Sequence, residues 1–173
     1  MRENANRETL WRGLQDETLQ CIVSDHSPCP PALRRRDSGD FLEAWGGIAS
    51  LELGLSAVAT ELHARSLPLD LAVRWMSERP AQLMGLQRGK GRLAPGYQGD
   101  FVLFDPDERW EVTAERLHQR HHVTPYLGRS LRGRVHATYL RGRLIYGDGA
   151  VVGAASGRLL RREGIASRAG AVA

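Results

Sequence analysis

The sequence predicts an α/β chain in which one short strand precedes a run of helices and the remainder is β-rich. Three patterns carry that expectation. A β-type run from Gln20 to Val23 ends in a loop where Pro28, Pro30 and Pro31 forbid both helix and strand. Leu51, Leu55, Val58 and Leu62 recur at i, i+4, i+7 and i+11, which is the period of one helical face. Beyond residue 89 the period falls towards two, with apolar and alternating runs bounded by Gly, Asp and Pro.

The elements follow in order. Residues 1–20 read as a polar helical stretch, with Leu10, Trp11 and Leu14 at helical spacing. Arg34 to Asp40 is charged and reads as a solvated loop. A helix is expected from about 48 to 64 and a second from Leu69 to Met76. A third starts at Arg79–Pro80, because proline at the first helical position loses no hydrogen bond. Gly89 to Gly96 is turn-rich. Asp100 to Asp105 reads as a strand stopped by Asp105-Pro106-Asp107, and Trp110 to Val112 as a short extended piece. Leu117 to His122 fits a turn of helix. Gly133 to Leu140 alternates, turns at Arg141-Gly142 and pairs back through Arg143 to Tyr146 as a hairpin. The domains expected are 1–88, 89–153 and an Arg-rich disordered tail at 154–173.

Composition narrows the function classes. The 173 residues suffice for one ordinary domain or two small ones and fall well short of the roughly 250 that a closed (β/α)₈ barrel takes. No run reaches the ~18 apolar residues of a membrane span, and the N-terminus carries no apolar leader, so a cytoplasmic protein without a membrane partner is expected. Cys21 and Cys29 are too few for a disulfide scaffold and lack zinc-ribbon spacing. The net charge is +4, but 154–173 holds four arginines against one glutamate, leaving the other residues at +1. A body that neutral argues against nucleic acid, and a basic binding module is the weakest of the readings. Arg34-Arg35-Arg36 reads as solvated loop.

The chemistry centres on Asp25. It stands at the carboxyl end of the strand, where parallel α/β folds bind ligands and metals, and a carboxylate there can ligate a cation or carry a proton. Spacing alone leaves a turn-forming role open, since Asp before a Pro-rich loop commonly initiates turns. His118 and His122 stand four apart, as a helical metal pair would, but no acidic base lies between them. That stretch reads as polar surface.

Several motifs in one order add to this. Val23-Ser24-Asp25-His26-Ser27-Pro28-Cys29 resembles the last-strand motif of cyclic amidohydrolases. Ala44-Trp45-Gly46-Gly47-Ile48-Ala49-Ser50-Leu51-Glu52 resembles the loop that follows it. Ser77 to Ala81, Lys90 to Gly96, Gly99 to Pro106, His121 to Arg129 and Arg132 to Val135 continue in the family's order. Across about 1–150 the match is to the allantoinase family. The resemblance implies the C-terminal part of a TIM-barrel metal-dependent amidohydrolase: the last barrel strand and the helices after it, plus a small β-sandwich domain. It implies hydrolytic opening of the allantoin ring to allantoate with two divalent ions, zinc foremost. It makes Asp25 a metal ligand and proton carrier, and Ser27, Gly46 and Gly47 contacts to the substrate ring. Cys29 stands where dihydroorotases carry a histidine facing a carboxylate, which favours a substrate without one; it also fits a small buried packing residue.

The chain departs from that family in its ligands. It has no His-x-His pair, and its only lysine, Lys90, lies in a Gly-rich turn. Of the family's metal-binding side chains only Asp25 is present, so the chain alone is expected to be inactive. A complementing N-terminal chain carrying the other strands is one alternative; a dihydroorotase- or hydantoinase-like relative is another. Family members are often homo-oligomers.

Overall fold

The computed structural model describes residues 3–160. In chain order its helices are α1 (Asn4–Gln15), α2 (Gly54–Ala64), α3 (Asp70–Val73) and α4 (Arg79–Leu83). Short 3₁₀ turns cover Pro31–Arg34, Leu51–Leu53 and Ala114–Arg116. The strands are β1 (Phe101–Glu111), β2 (Ser130–Leu140), β3 (Arg143–Gly147) and β4 (Ala150–Val151), in one sheet of order β1-β2-β3-β4. The chain divides into two compact units. One gathers Asp70–Leu103 with the described parts of Met1–Ile22 and Ala137–Ala173; the other gathers Val23–Leu69 and Phe104–His136.

In the first unit, α1 buries Trp11 and Leu14 while Leu10 stays exposed. Trp11 meets the buried Trp75 edge-on, with ring centroids 6.0 Å apart. The second and third expected helices are one continuous helical run. A π stretch, Arg74–Glu78, joins α3 to α4 and is closed by the Arg79 N–H donating to the Arg74 carbonyl. Pro80 therefore starts no new helix. Proline lacks the N–H that would bond four residues back, and the extra residue of a π turn absorbs that gap inside the run. Gly91 closes against this run: at φ +89 its own Cβ would lie 2.8 Å from that of Ala81. The expected hairpin forms. Leu140 pairs with Arg143 across Arg141 and Gly142, both at positive φ, as a tight two-residue turn requires. Tyr139 stacks on Phe101 at 4.5 Å.

Gln20 to Val23 forms no strand. The run is extended, but its backbone contact is one hydrogen bond from Ile22 N–H to the Trp75 carbonyl. A strand needs a neighbour to pair its polar backbone, and no strand of the described residues supplies one.

In the second unit the core is Leu53, Val112, Leu117 and Leu131, with Trp110 and Tyr126 packed on it. The helical face differs from the expected one. Val58 and Leu62 are buried, but Leu51 is exposed and Leu53, Ser56 and Ala59 point inward. The tighter 3₁₀ turn at Leu51–Leu53 shifts the phase before α2 begins. β1 runs through Pro106 instead of ending there. Proline is tolerated because β1 is an edge strand, and the Asp105 carboxylate takes the Asp107 and Glu108 N–H groups at 2.8 and 3.2 Å. Helix is confined to Ala114–Arg116, so Leu117 to His122 is not helical. Glu52 is the reason: its carboxylate accepts the N–H of His118 and Gln119, groups a helix would have used. The expected tail lies, from residue 161 on, outside the described residues.

Candidate active site

The site is built where the extended run meets the Gly-Gly loop, entirely within the second unit. Two irregular segments are laced together here. The Ser27 N–H donates to the Ile48 carbonyl at 2.9 Å, and the Ile48 N–H donates to Ser27 Oγ at 3.3 Å. His26 and Ile48 form a parallel bridge. Ser50 Oγ donates to the Ser24 carbonyl at 2.7 Å. His26 Nδ1 accepts the N–H groups of both Ser50 and Leu51, each at 3.1 Å. Trp45 Nε1 donates to the Ser27 carbonyl at 3.3 Å, and Arg34 donates to the Gly47 carbonyl. Neither segment is a helix or strand, so side chains and single backbone bonds do the work that a ladder does elsewhere.

Asp25 stands between the tied residues Ser24 and His26. It is exposed, and its φ of 45° places it in the left-handed region. Asp reaches that region more readily than most residues, at an energetic cost that surroundings must hold in place. Gly47, at φ +132, packs directly on Ser27. A Cβ there would sit 2.3 Å from Ser27 Oγ and 2.6 Å from its carbonyl oxygen, so only glycine permits the approach. Gly46 has open space around its Cα. The structure thus brings Asp25, Ser27, Gly46 and Gly47 into one neighbourhood. Cys29, two residues past Ser27, is buried with its thiol free.

The loop's far end is anchored as well. Thr124 Oγ1 donates to the Ala49 carbonyl, and both residues are buried. Glu52 accepts the His118 N–H at 3.0 Å and approaches His118 Nδ1 at 3.0 Å. His118 therefore serves the loop through Glu52. His26 and Glu52 are the two residues that spacing could not assign, because their partners lie 24 and 66 positions away.

Among the described residues, one group of three offers metal-ligating atoms within 4.8 Å of one another: Asp105, Glu108 and His136. Asp105 and Glu108 lie on β1 and His136 on the neighbouring β2, so sequence spacing does not show the group. Arg134 hydrogen-bonds Glu108 at 2.6 Å and holds its carboxyl below the usual range. The Asp107 and Glu108 N–H groups do the same for Asp105. Arg134 and His136 both reach Glu108, so the cluster reads as a surface ion-pair network. Asp25 belongs to no such group among the described residues. Lys90 is paired with Asp100 in the first unit.

No helix of the described residues is long and apolar enough to cross a membrane. The chain is 44% identical over 163 residues to an allantoinase of Streptomyces avermitilis, a match covering 94% of this chain and 36% of that protein. It is 41% identical over 154 residues to a probable allantoinase of Dictyostelium discoideum, covering 86% and 30%. The chain thus spans about a third of the length of these relatives. Among solved structures, an L-hydantoinase (dihydropyrimidinase) from Arthrobacter aurescens matches with TM-score 0.77 and 28% identity over 83% of this chain and 32% of that one. A dihydropyrimidinase from Brevibacillus agri matches with TM-score 0.82 and 27% identity over 88% and 33%. The model of the amidohydrolase family matches residues 55–146, more than half of the chain. On the family model and these likenesses, the chain belongs to the amidohydrolase family and is allantoinase-like within it.

Proposed function

We propose that this chain is the C-terminal part of an allantoinase, acting in hydrolytic ring opening of allantoin to allantoate once the rest of the barrel is supplied. The observation that carries the reading is the lacing of Ser24–Ser27 to Ile48–Leu51, which ties the segment that carries the exposed Asp25 to the loop that follows Gly46-Gly47. The likeness to two allantoinases supports the same substrate. In this reading residues 1–88 complete the barrel and 89–153 form the small β-domain. Ser27, Gly46 and Gly47 meet the substrate ring, and Asp25 is a metal ligand and proton carrier. The complete protein works in the cytoplasm as a homo-oligomer.

The implied metals, two zinc ions, do not fit this chain by itself. A catalytic site takes about three protein ligands, and Asp25 is a single carboxylate that no second and third ligand joins among the described residues. The remaining ligands belong to strands that this chain does not carry, supplied by a complementing N-terminal segment.

The test is reconstitution. The 173-residue chain is mixed with the preceding part of the Streptomyces avermitilis allantoinase, with zinc or manganese added, and allantoate formation is followed. Activity is expected only in the mixture, and Asp25→Asn abolishes it. Turnover by the chain alone, or full activity with Asp25→Asn, overturns the reading. The hydantoinase neighbours give a second reading, and hydantoin or dihydropyrimidine turned over in preference to allantoin selects it.

A further inference from the structure

We infer that His26 is a positioning residue, whose Nδ1 lone pair sets the spacing between Asp25 and the Gly46-Gly47 loop. The inference rests on the reading above for its functional consequence, and on geometry alone for the contact itself.

Ser50 and Leu51 stand at the start of the 3₁₀ turn that leads into α2. The first N–H groups of a helical segment have no partner inside it and need an acceptor from elsewhere. Ser50 does not cap this turn with its own side chain; its hydroxyl is spent on the Ser24 carbonyl. The acceptor comes from His26 Nδ1, 3.1 Å from each nitrogen. One lone pair thus receives two donors from across the site. A ring nitrogen in that position carries no proton, so the imidazole proton sits on Nε2.

The consequence is positional. Asp25 is the residue immediately before His26, and its left-handed backbone is over-determined only if both neighbours are fixed. Ser24 is held by Ser50, and His26 by Ser50 and Leu51. The same bonds fix the chain three to five residues past Gly46 and Gly47. Losing the imidazole acceptor frees the Ser50 and Leu51 N–H groups and loosens both sides of the site at once, while the Ser24–Ser50 and Ser27–Ile48 bonds and Asp25 itself are untouched.

The geometry makes a specific demand on replacements. Asparagine places its Oδ1 close to where histidine places Nδ1. Glutamine places its oxygen near the Nε2 position, away from the two N–H groups. The experiment is amide hydrogen exchange on the 173-residue chain, read by NMR, with the His26 ring nitrogens observed in the wild type. An unprotonated Nδ1, a protonated Nε2 and slow exchange at Ser50 and Leu51 are expected. His26→Ala speeds exchange at those two amides at least tenfold, His26→Asn restores them to within about threefold, and His26→Gln does not. Unprotected Ser50 and Leu51 amides in the wild type, a protonated Nδ1, or equal rescue by Asn and Gln overturns the inference. In the reconstituted enzyme, His26→Ala raises KM for allantoin about tenfold with a smaller fall in kcat, and His26→Asn recovers the wild-type KM. An unchanged KM overturns the positioning role. If the wild-type mixture has no activity, the proposed function fails, and the exchange and ring-nitrogen data still decide the contact.

Discussion

Gly46 and Gly47 are adjacent, yet only one of them is structurally constrained. Gly47 combines a positive φ with a 2.3 Å approach to Ser27 Oγ; Gly46 has no atom within 4 Å of where a Cβ would stand. Gly47→Ala therefore forces either the Ser27 segment or the loop to move, at a cost of about 1–3 kcal/mol. Gly46→Ala stays within about 0.5 kcal/mol. Denaturant unfolding of the two variants measures the contrast. Equal stability of both with the wild type shows that the close approach is not held in solution. In the reconstituted enzyme Gly46→Ala separates a substrate contact from a structural one: raised KM with unchanged stability is expected. At this scale the sequence was legible where a motif names a residue. Two short runs name Asp25, Ser27, Gly46 and Gly47 by resemblance, and the structure ties those two runs together. His26 and Glu52 do not, because their roles consist of hydrogen bonds to distant backbone, and no local pattern records such a bond. Cys29 was legible only as far as its size: its burial accords with packing, and its neighbourhood shows no partner for the thiol among the described residues.

Elements were legible where one local rule dominates. Arg141-Gly142 demands a tight turn, and the hairpin forms on it. They were misread where two rules compete. Pro106 signals a break, but edge position and the Asp105 carboxylate carry β1 through it; Pro80 signals a helix start, but a π turn absorbs it. The extended run at 20–23 has strand composition without a strand partner, and composition cannot supply one. The join between the Gly-rich turn and the hairpin allows a quantitative prediction. Asp100 accepts from Lys90 Nζ and, at 2.8 Å, from the Arg141 N–H, while the Gly142 N–H donates to the Gly99 carbonyl at 2.7 Å. Partial burial pushes the Asp100 carboxyl up, but Lys90 and the Arg141 N–H outweigh it and hold the carboxyl below its ordinary value. A carboxylate depressed in the folded state adds stability that is complete above the unfolded value of about 3.9 and is lost as pH falls through the lower folded value. Asp100→Asn is thus expected to cost about 1 kcal/mol at pH 7, because the pair is partly solvated. The difference from wild type narrows steadily below about pH 4. Urea unfolding at pH 7 and pH 3 reads both; a deficit that is equal at the two values contradicts the ionic account.

At the scale of the whole molecule the informative feature is apolar surface. Phe41 is 92% exposed, Leu42 98%, Val23 69%, Leu51 65% and Trp45 50%, all in the unit that carries Asp25. The stretch 35–46 is not loose chain: Arg35 pairs with Glu43, the Ala44 N–H reaches the Asp40 carbonyl, and the Trp45 N–H reaches the Leu33 carbonyl at 2.8 Å. It is a loop held by its own hydrogen bonds that presents two adjacent large apolar side chains to water. The relatives suggest what covers it. The Streptomyces avermitilis match takes up 36% of that protein, leaving nearly two-thirds of its length outside the match. We expect that missing portion, supplied as a separate chain, to bind this one at 1:1 stoichiometry and to slow amide exchange across 23–51. Fully burying two such side chains contributes about 3–6 kcal/mol in transfer terms, before the entropy of association is subtracted. Replacing Phe41 and Leu42 together by serine should therefore weaken binding at least a hundredfold without unfolding the chain, since neither side chain packs on its own core. Calorimetric titration of the wild type and the double variant settles it. Equal affinity assigns the apolar surface to some other contact, and no binding by the wild type overturns the proposed two-chain assembly.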